Sequence, residues 1–217
     1  MHILVMAKAP VPGRVKTRLC PPYTPQEAAL VAEAALADTL EAVSRCGADR
    51  RIVALDGERG PWLPAGFEVI AQRGRGLEER LGAAWHDARG AGFQIGMDTP
   101  QLTATDLDDA LARLDRPGPA PAVLGPAQDG GWWGVGMARP HPDAFVGVPM
   151  STAGTGAAQR ARLEALGMDV ALLAEGRDID TVDDLLAVSE LMGRGRTTAL
   201  VDLLTHLQAR TSAGDRR

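Results

Sequence analysis

Four cations and no carboxylate fall between residues 8 and 18, in the run Lys8-Ala9-Pro10-Val11-Pro12-Gly13-Arg14-Val15-Lys16-Thr17-Arg18. The run follows a short apolar strand, Ile3 to Met6. Backbone amides at a strand-to-helix turn, reinforced by Lys and Arg, make an anion site, and Gly13 would let the chain approach a phosphate oxygen closely. The Gly-x-x-x-x-Gly-Lys-Ser/Thr and Gly-x-Gly-x-x-Gly spacings are absent, so the usual phosphate loops do not apply. The competing reading is a solvated basic loop that only joins strand to helix.

Three further loops hold residues suited to chemistry. Asp98 lies in Gly96-Met97-Asp98-Thr99-Pro100, directly after an apolar strand, where one carboxylate oxygen could hold a hard cation whose shell a nucleotide completes. Its plainer use is to cap the turn that follows. Asp178 and Asp180, in Arg177-Asp178-Ile179-Asp180-Thr181, alternate with Ile179 and are expected on one face of a strand end. One of them could share a metal with Asp98, while Asp183 and Asp184 suit the first turn of a helix capped by Thr181. Asp129-Gly130-Gly131-Trp132-Trp133 ends a polar turn on two aromatics that must face opposite ways in a strand. One Trp is then core, and the other packs as core too or lies against a ligand ring, with the glycines leaving room.

The elements that position these loops alternate. Strands are expected at Ile3–Met6, Arg51–Leu55, Phe67–Ala71, Phe93–Gly96, Ala122–Leu124, Gly134–Met137 and Val170–Leu173. Helices are expected at Pro25–Ser44, Leu77–Arg89, Thr103–Leu114, Thr155–Leu166, Val182–Met192 and Thr198–Gln208. This order predicts an α/β fold with a mostly parallel central sheet covered by helices on both faces, and ligands gathered where the carboxyl ends of strands open. One domain over 1–210 is expected, with a polar, disordered tail at 211–217. Leu200, Leu203, Leu204 and Leu207 form one stripe of the last helix, which packs on its own chain or on a second copy in a homodimer.

The 217 residues carry a net charge of −5, which argues against a nucleic-acid partner and makes the basic loop a local field. Cys20 and Cys46 have no CxxC or Cys/His context, so neither a disulfide framework nor zinc is indicated. The first strand begins by residue 3, leaving no room for a signal peptide, and no apolar run approaches the roughly 20 residues of a membrane span. A cytoplasmic protein without membrane association is expected. The four histidines are scattered without metal-ligand spacing.

Taken together, the basic loop, Gly-x-Asp-x-Pro-x-Leu near 98, Asp-Gly-Gly-Trp-Trp near 130 and Asp-x-Asp-Thr near 180 resemble the nucleotide-diphospho-sugar transferase superfamily. Within it they are similar to the bacterial branch labelled glycosyltransferase-like or radical-SAM/selenodomain-associated transferase, over about residues 1 to 192. The resemblance implies a GT-A architecture with a Rossmann-like nucleotide half. It makes Gly13, Arg14, Lys16 and Arg18 phosphate ligands, with Ala7 and Lys8 completing the loop and Lys16 neutralising transition-state charge. Gln72, Arg73 and Arg75 would border base, ribose or phosphate. Asp98 and Asp180 would hold Mg2+ or Mn2+. Asp129, Gly130, Gly131, Trp132, Trp133, Ser151 and Thr152 would line the acceptor pocket. Two departures are visible: Met97 intervenes between Gly96 and Asp98, and Val182 stands where the family often has Pro.

The implied activity is transfer of a nucleoside monophosphate from a nucleoside triphosphate to a small phosphorylated or phosphonate acceptor, with release of pyrophosphate. Glycosyl transfer from a nucleotide sugar is the alternative, and a degenerate nucleotide-binding protein the third.

Overall fold

A computed structural model describes residues 1–118 and 120–214, with side chains described up to Gln208. Its seven strands are β1 (His2–Lys8), β2 (Arg50–Asp56), β3 (Glu68–Ala71), β4 (Gly92–Gly96), β5 (Pro121–Pro126), β6 (Trp132–Met137) and β7 (Asp169–Leu172). The helices are α1 (Pro25–Arg45), α2 (Leu77–Ala88), α3 (Ala104–Leu114), α4 (Thr155–Ala165), α5 (Val182–Leu191) and α6 (Arg196–Gly214). The backbone is therefore helical over 211–214, where a disordered tail was expected, and residues 215–217 of that expected tail lie outside the described residues. Among the described residues no helix is long and apolar enough to cross a membrane.

All strands join one sheet in the order β3-β2-β1-β4-β6-β5-β7. Every pairing is parallel except those of β6, which runs antiparallel to β4 and β5. The period-two alternation of β1 divides its side chains between two cores. Ile3, Val5 and Ala7 face α1 and α3 with Leu36, Leu40, Leu107 and Leu111, whereas Leu4 faces α2 with Leu81 and Trp85. A third cluster joins α1, α5 and α6 to Leu19 and Tyr23.

Helix entries follow the sequence signals. Thr24, Thr103 and Thr181 each close a capping box, with Glu27, Asp106 and Asp184 returning the bond, so each helix begins where its cap stands. Gly176 bridges Ala127, but residues 177–181 are not the strand end that the alternation suggested. They run as irregular chain whose Ile179 amide donates to the Asp98 carbonyl at 3.0 Å, because buried Ile179 anchors them to the third cluster. The C-terminal loop is thus tied directly to the end of β4.

Candidate functional site

The carboxyl ends of β1 and β4, the loop before β6 and the 176–181 segment enclose a cleft of about 660 Å3. Lys16 lines it. Buried Val15 and Leu19 pin the basic loop on either side of it, and Lys16 itself has φ 47°, a left-handed conformation uncommon outside glycine. That backbone turns its side chain inward, leaving it 9 % exposed. Its ammonium donates to Asp98 Oδ2 at 2.6 Å and to the Ile179 carbonyl, with Asp180 Oδ1 at 3.8 Å. One cation therefore ties three loops that are more than eighty residues apart in sequence.

Asp98 does not cap the following helix, a task that falls to Thr103. Its carboxylate folds back over Gly96, where an added Cβ would lie 2.6 Å from Oδ1, so a side chain there would have to displace that carboxylate. Met97 has its own use, its Sδ accepting the Lys8 amide at 3.2 Å and joining the ends of β1 and β4.

The two C-terminal carboxylates are unlike. Asp180 is half exposed and accepts from Arg18 at 2.9 Å. Asp178 Oδ1 is sealed from solvent without a hydrogen-bond partner. Burial, and then the negative charge of Asp98, push the Asp178 carboxyl up to about 8; Lys16 opposes them, and Asp129 and Asp180 add to them. Among the described residues no three His, Cys, Asp or Glu side chains converge as a ready-made metal cage. Magnesium, however, commonly takes one or two carboxylates with the substrate's phosphates supplying the rest. The orphaned oxygen of Asp178 beside Asp98 fits that use better than Asp180, whose oxygens already have cationic partners.

Of the residues expected to meet nucleotide, Ala7, Lys8, Arg14, Lys16, Arg18 and Gln72 line the cleft. Gln72 bridges two strands by donating to the Ala7 and Ala54 carbonyls, each at 2.9 Å. Gly13, Arg73 and Arg75 are not in the lining; Arg73 is held by both oxygens of Asp87, at 2.7 and 2.6 Å. Gly13 shapes the loop, with φ 75° and open space around it.

Of the expected acceptor residues, Asp129, Gly131, Trp132, Trp133, Ser151 and Thr152 line the wall on the β6 side of β4. Gly130 stands behind it, pressed against the Ala153 carbonyl, where no Cβ could fit. Trp133 is core: 6 % exposed, edge-on to Phe93, its Nε1 donating to the Ala174 carbonyl at 3.0 Å. Trp132, on the other face, is half-buried beside Phe145. Ser151 adopts φ 58°, so two of the three non-glycine positive-φ residues among those described border this cleft. Sequence reasoning left out Met150, Ala153 and Thr155, and of the two carboxylates that could share a metal with Asp98 it assigned Asp180 and not Asp178. The 150–155 wall has no pattern of its own, and only the alternation of Asp178 with Ile179 and Asp180 pointed toward that carboxylate.

A family described as an uncharacterized protein conserved in bacteria (DUF2064) matches residues 28–152, more than half of the chain. The chain belongs to this family. Among solved structures, this family member is similar to a candidate nucleotide-diphospho-sugar transferase of Desulfovibrio desulfuricans G20, with 26% identity, TM-score 0.85 and 96% of each chain covered. It shares its fold with a nucleotidyl transferase of Methanothermobacter thermautotroptrophicus, at 17% identity and TM-score 0.55 over 87% of this chain and 95% of that one. The same holds for the 4-diphosphocytidyl-2C-methyl-D-erythritol synthase of Anaerococcus prevotii DSM 20548, at 12% identity and TM-score 0.54 over 87% and 94%. No curated protein sequence matches the chain. The architecture is accordingly that of the GT-A and nucleotidyltransferase folds, and the resemblance read from the motifs is borne out.

Proposed function

We propose that the protein is a metal-dependent, nucleotide-using transferase that moves a nucleoside monophosphate from a nucleoside triphosphate to a small acceptor and releases pyrophosphate. The observation that carries this reading is Lys16, a largely buried ammonium at the mouth of two parallel strands, set among Asp98, Asp180 and the Ile179 carbonyl. Arg14 and Arg18 flank it and would take phosphate oxygens, Arg18 exchanging Asp180 for the ligand. Lys16 would then face the α-phosphoryl oxygens and stabilise the charge that grows there as the acceptor oxygen attacks phosphorus. Asp98 and Asp178, with Asp180 at the rim, would hold Mg2+ or Mn2+. Such an ion neutralises phosphate charge and orients the departing pyrophosphate.

Glycosyl transfer is the second reading, favoured by the nucleotide-diphospho-sugar transferase similarity at 26% identity. Thermal shifts with ATP, GTP, CTP, UTP and their nucleotide sugars, each with and without magnesium, separate the two. Magnesium-dependent stabilisation by a triphosphate is expected, with Asp98→Asn losing turnover by orders of magnitude. Preference for a nucleotide sugar would replace the reaction, and no shift with any of them would leave a non-catalytic protein.

A further inference from the structure

We infer that the acceptor is a neutral, hydroxyl-bearing molecule with an apolar face, a sugar or polyol, and not a phosphate ester; the inference rests on the transferase reading above and names the acceptor class of that same cleft. Every cation lining the cleft, Lys8, Arg14, Lys16 and Arg18, comes from the first loop. The wall on the β6 side, built from 129–133 and 150–155, contributes no Lys, Arg or His, and its one charged side chain is Asp129. Asp129 lies close enough to Asp178 for their fields to add. A phosphate monoester brings about two negative charges at neutral pH. On this wall they would meet a carboxylate and no counter-charge, in a partly desolvated site where like charges are costly. The acceptor wall therefore selects against the phosphorylated acceptor that the motifs alone suggested.

What the wall does offer suits a neutral polyol. The half-buried Trp132 ring and Met150 present apolar surface, which the C–H face of a sugar covers well. Ser151 and Thr152 are exposed at the rim and carry hydroxyls that both donate and accept. Asp129 accepts the Gly131 amide on Oδ1 at 2.8 Å, which fixes the carboxylate and leaves Oδ2 for a ligand hydroxyl. In the transfer step the acceptor hydroxyl oxygen forms a bond to the α-phosphorus. The bond from that phosphorus to the α–β bridging oxygen breaks, pyrophosphate leaves with its electron pair, and the hydroxyl proton passes to Asp129.

The test is a fluorescence titration of the full chain with matched pairs: glycerol and glycerol 3-phosphate, glucose and glucose 1-phosphate, myo-inositol and its monophosphate. At least one neutral member is expected to change tryptophan emission saturably, with its phosphorylated partner tenfold or more weaker. Trp132→Leu should abolish the response, and Ala153→Lys, adding a cation to the wall, should narrow or reverse the preference. Equal or tighter binding of the phosphorylated member to the unmodified protein overturns the inference, as does the absence of a response to any neutral member, or a response that survives Trp132→Leu. Stabilisation by nucleotide reports on the cationic 8–18 segment, so failure of the transferase reading is read separately.

Discussion

Asp178 combines a sealed, unpartnered oxygen with a neighbouring carboxylate, and both raise its proton affinity. The sign of the resulting pH effect follows from linkage. Between the ordinary carboxylate value of 3.8 and about 8, the folded chain keeps a proton that the unfolded chain has released. Stability contributed in this way is complete below the lower value and is lost as pH rises through the upper one. Asp178→Asn removes the cost, so the metal-free variant should be more stable than the parent at pH 8. The difference should close near pH 4. The same variant should lose magnesium-dependent stabilisation by nucleotide, because the neutral amide cannot replace a carboxylate ligand. Thermal melts in EDTA across this range check the first expectation and melts with magnesium and nucleotide the second; a variant less stable than the parent at pH 8 would mean that Asp178 is a structural hydrogen-bonding residue.

The elements that frame the cleft were legible because each writes a periodic or capping signal into the chain. Thr103 and Thr181 announce α3 and α5, and the apolar runs of β1, β2 and β4 announce a buried parallel sheet. The loops were legible only where composition is one-sided, as at 8–18. Arg73 carries the same charge as the basic loop, yet Asp87, which captures it, lies on a separate helix and could not be read from the segment itself. The seating of β1 on α2 is of the same kind. His2 is 1% exposed and meets Trp85 edge-on with ring centroids 5.5 Å apart. Burial, with help from Arg50 and the terminal amine, lowers its imidazole from 6.5 to about 4. The unfolded chain therefore takes up the proton first, so this packing contributes its full stability above pH 6.5 and loses it as pH falls toward 4, about 3 kcal/mol in all. His2→Phe keeps an aromatic ring on Trp85 and should flatten the stability profile over that window in denaturant titrations. An unchanged slope would assign the acid sensitivity to other groups.

Across the whole molecule, a clamp between α1 and α6 is linked to the cleft through the third cluster. Asp38 has a side chain only 8% exposed, and it accepts the amides of Arg196 and Thr197 and the Thr197 hydroxyl, at 3.1, 2.8 and 2.8 Å. Those bonds satisfy donors at the start of α6, which would otherwise be left without partners beside α1. They seat Val201 and Leu204 against Val31, Ala35, Leu185 and Val188, in the same cluster as Leu19. Leu19 ends the short turn that begins one residue after Lys16, and Ile179 belongs to that cluster while its carbonyl accepts from the Lys16 ammonium. Loosening α6 should therefore loosen the cation that ties the cleft. Asp38→Ala strands the part-buried amide and hydroxyl of Thr197 and should cost about 2–3 kcal/mol. Arg196→Ala, at a side chain 56% exposed, should cost under about 1 kcal/mol. In amide hydrogen exchange, Asp38→Ala should speed exchange of α6 and of residues 16–23 together while β1 and β4 keep their protection, and nucleotide-induced stabilisation should fall although no cleft residue has changed. Faster exchange confined to α6 would separate the clamp from the cleft and reduce the third cluster to a purely structural role.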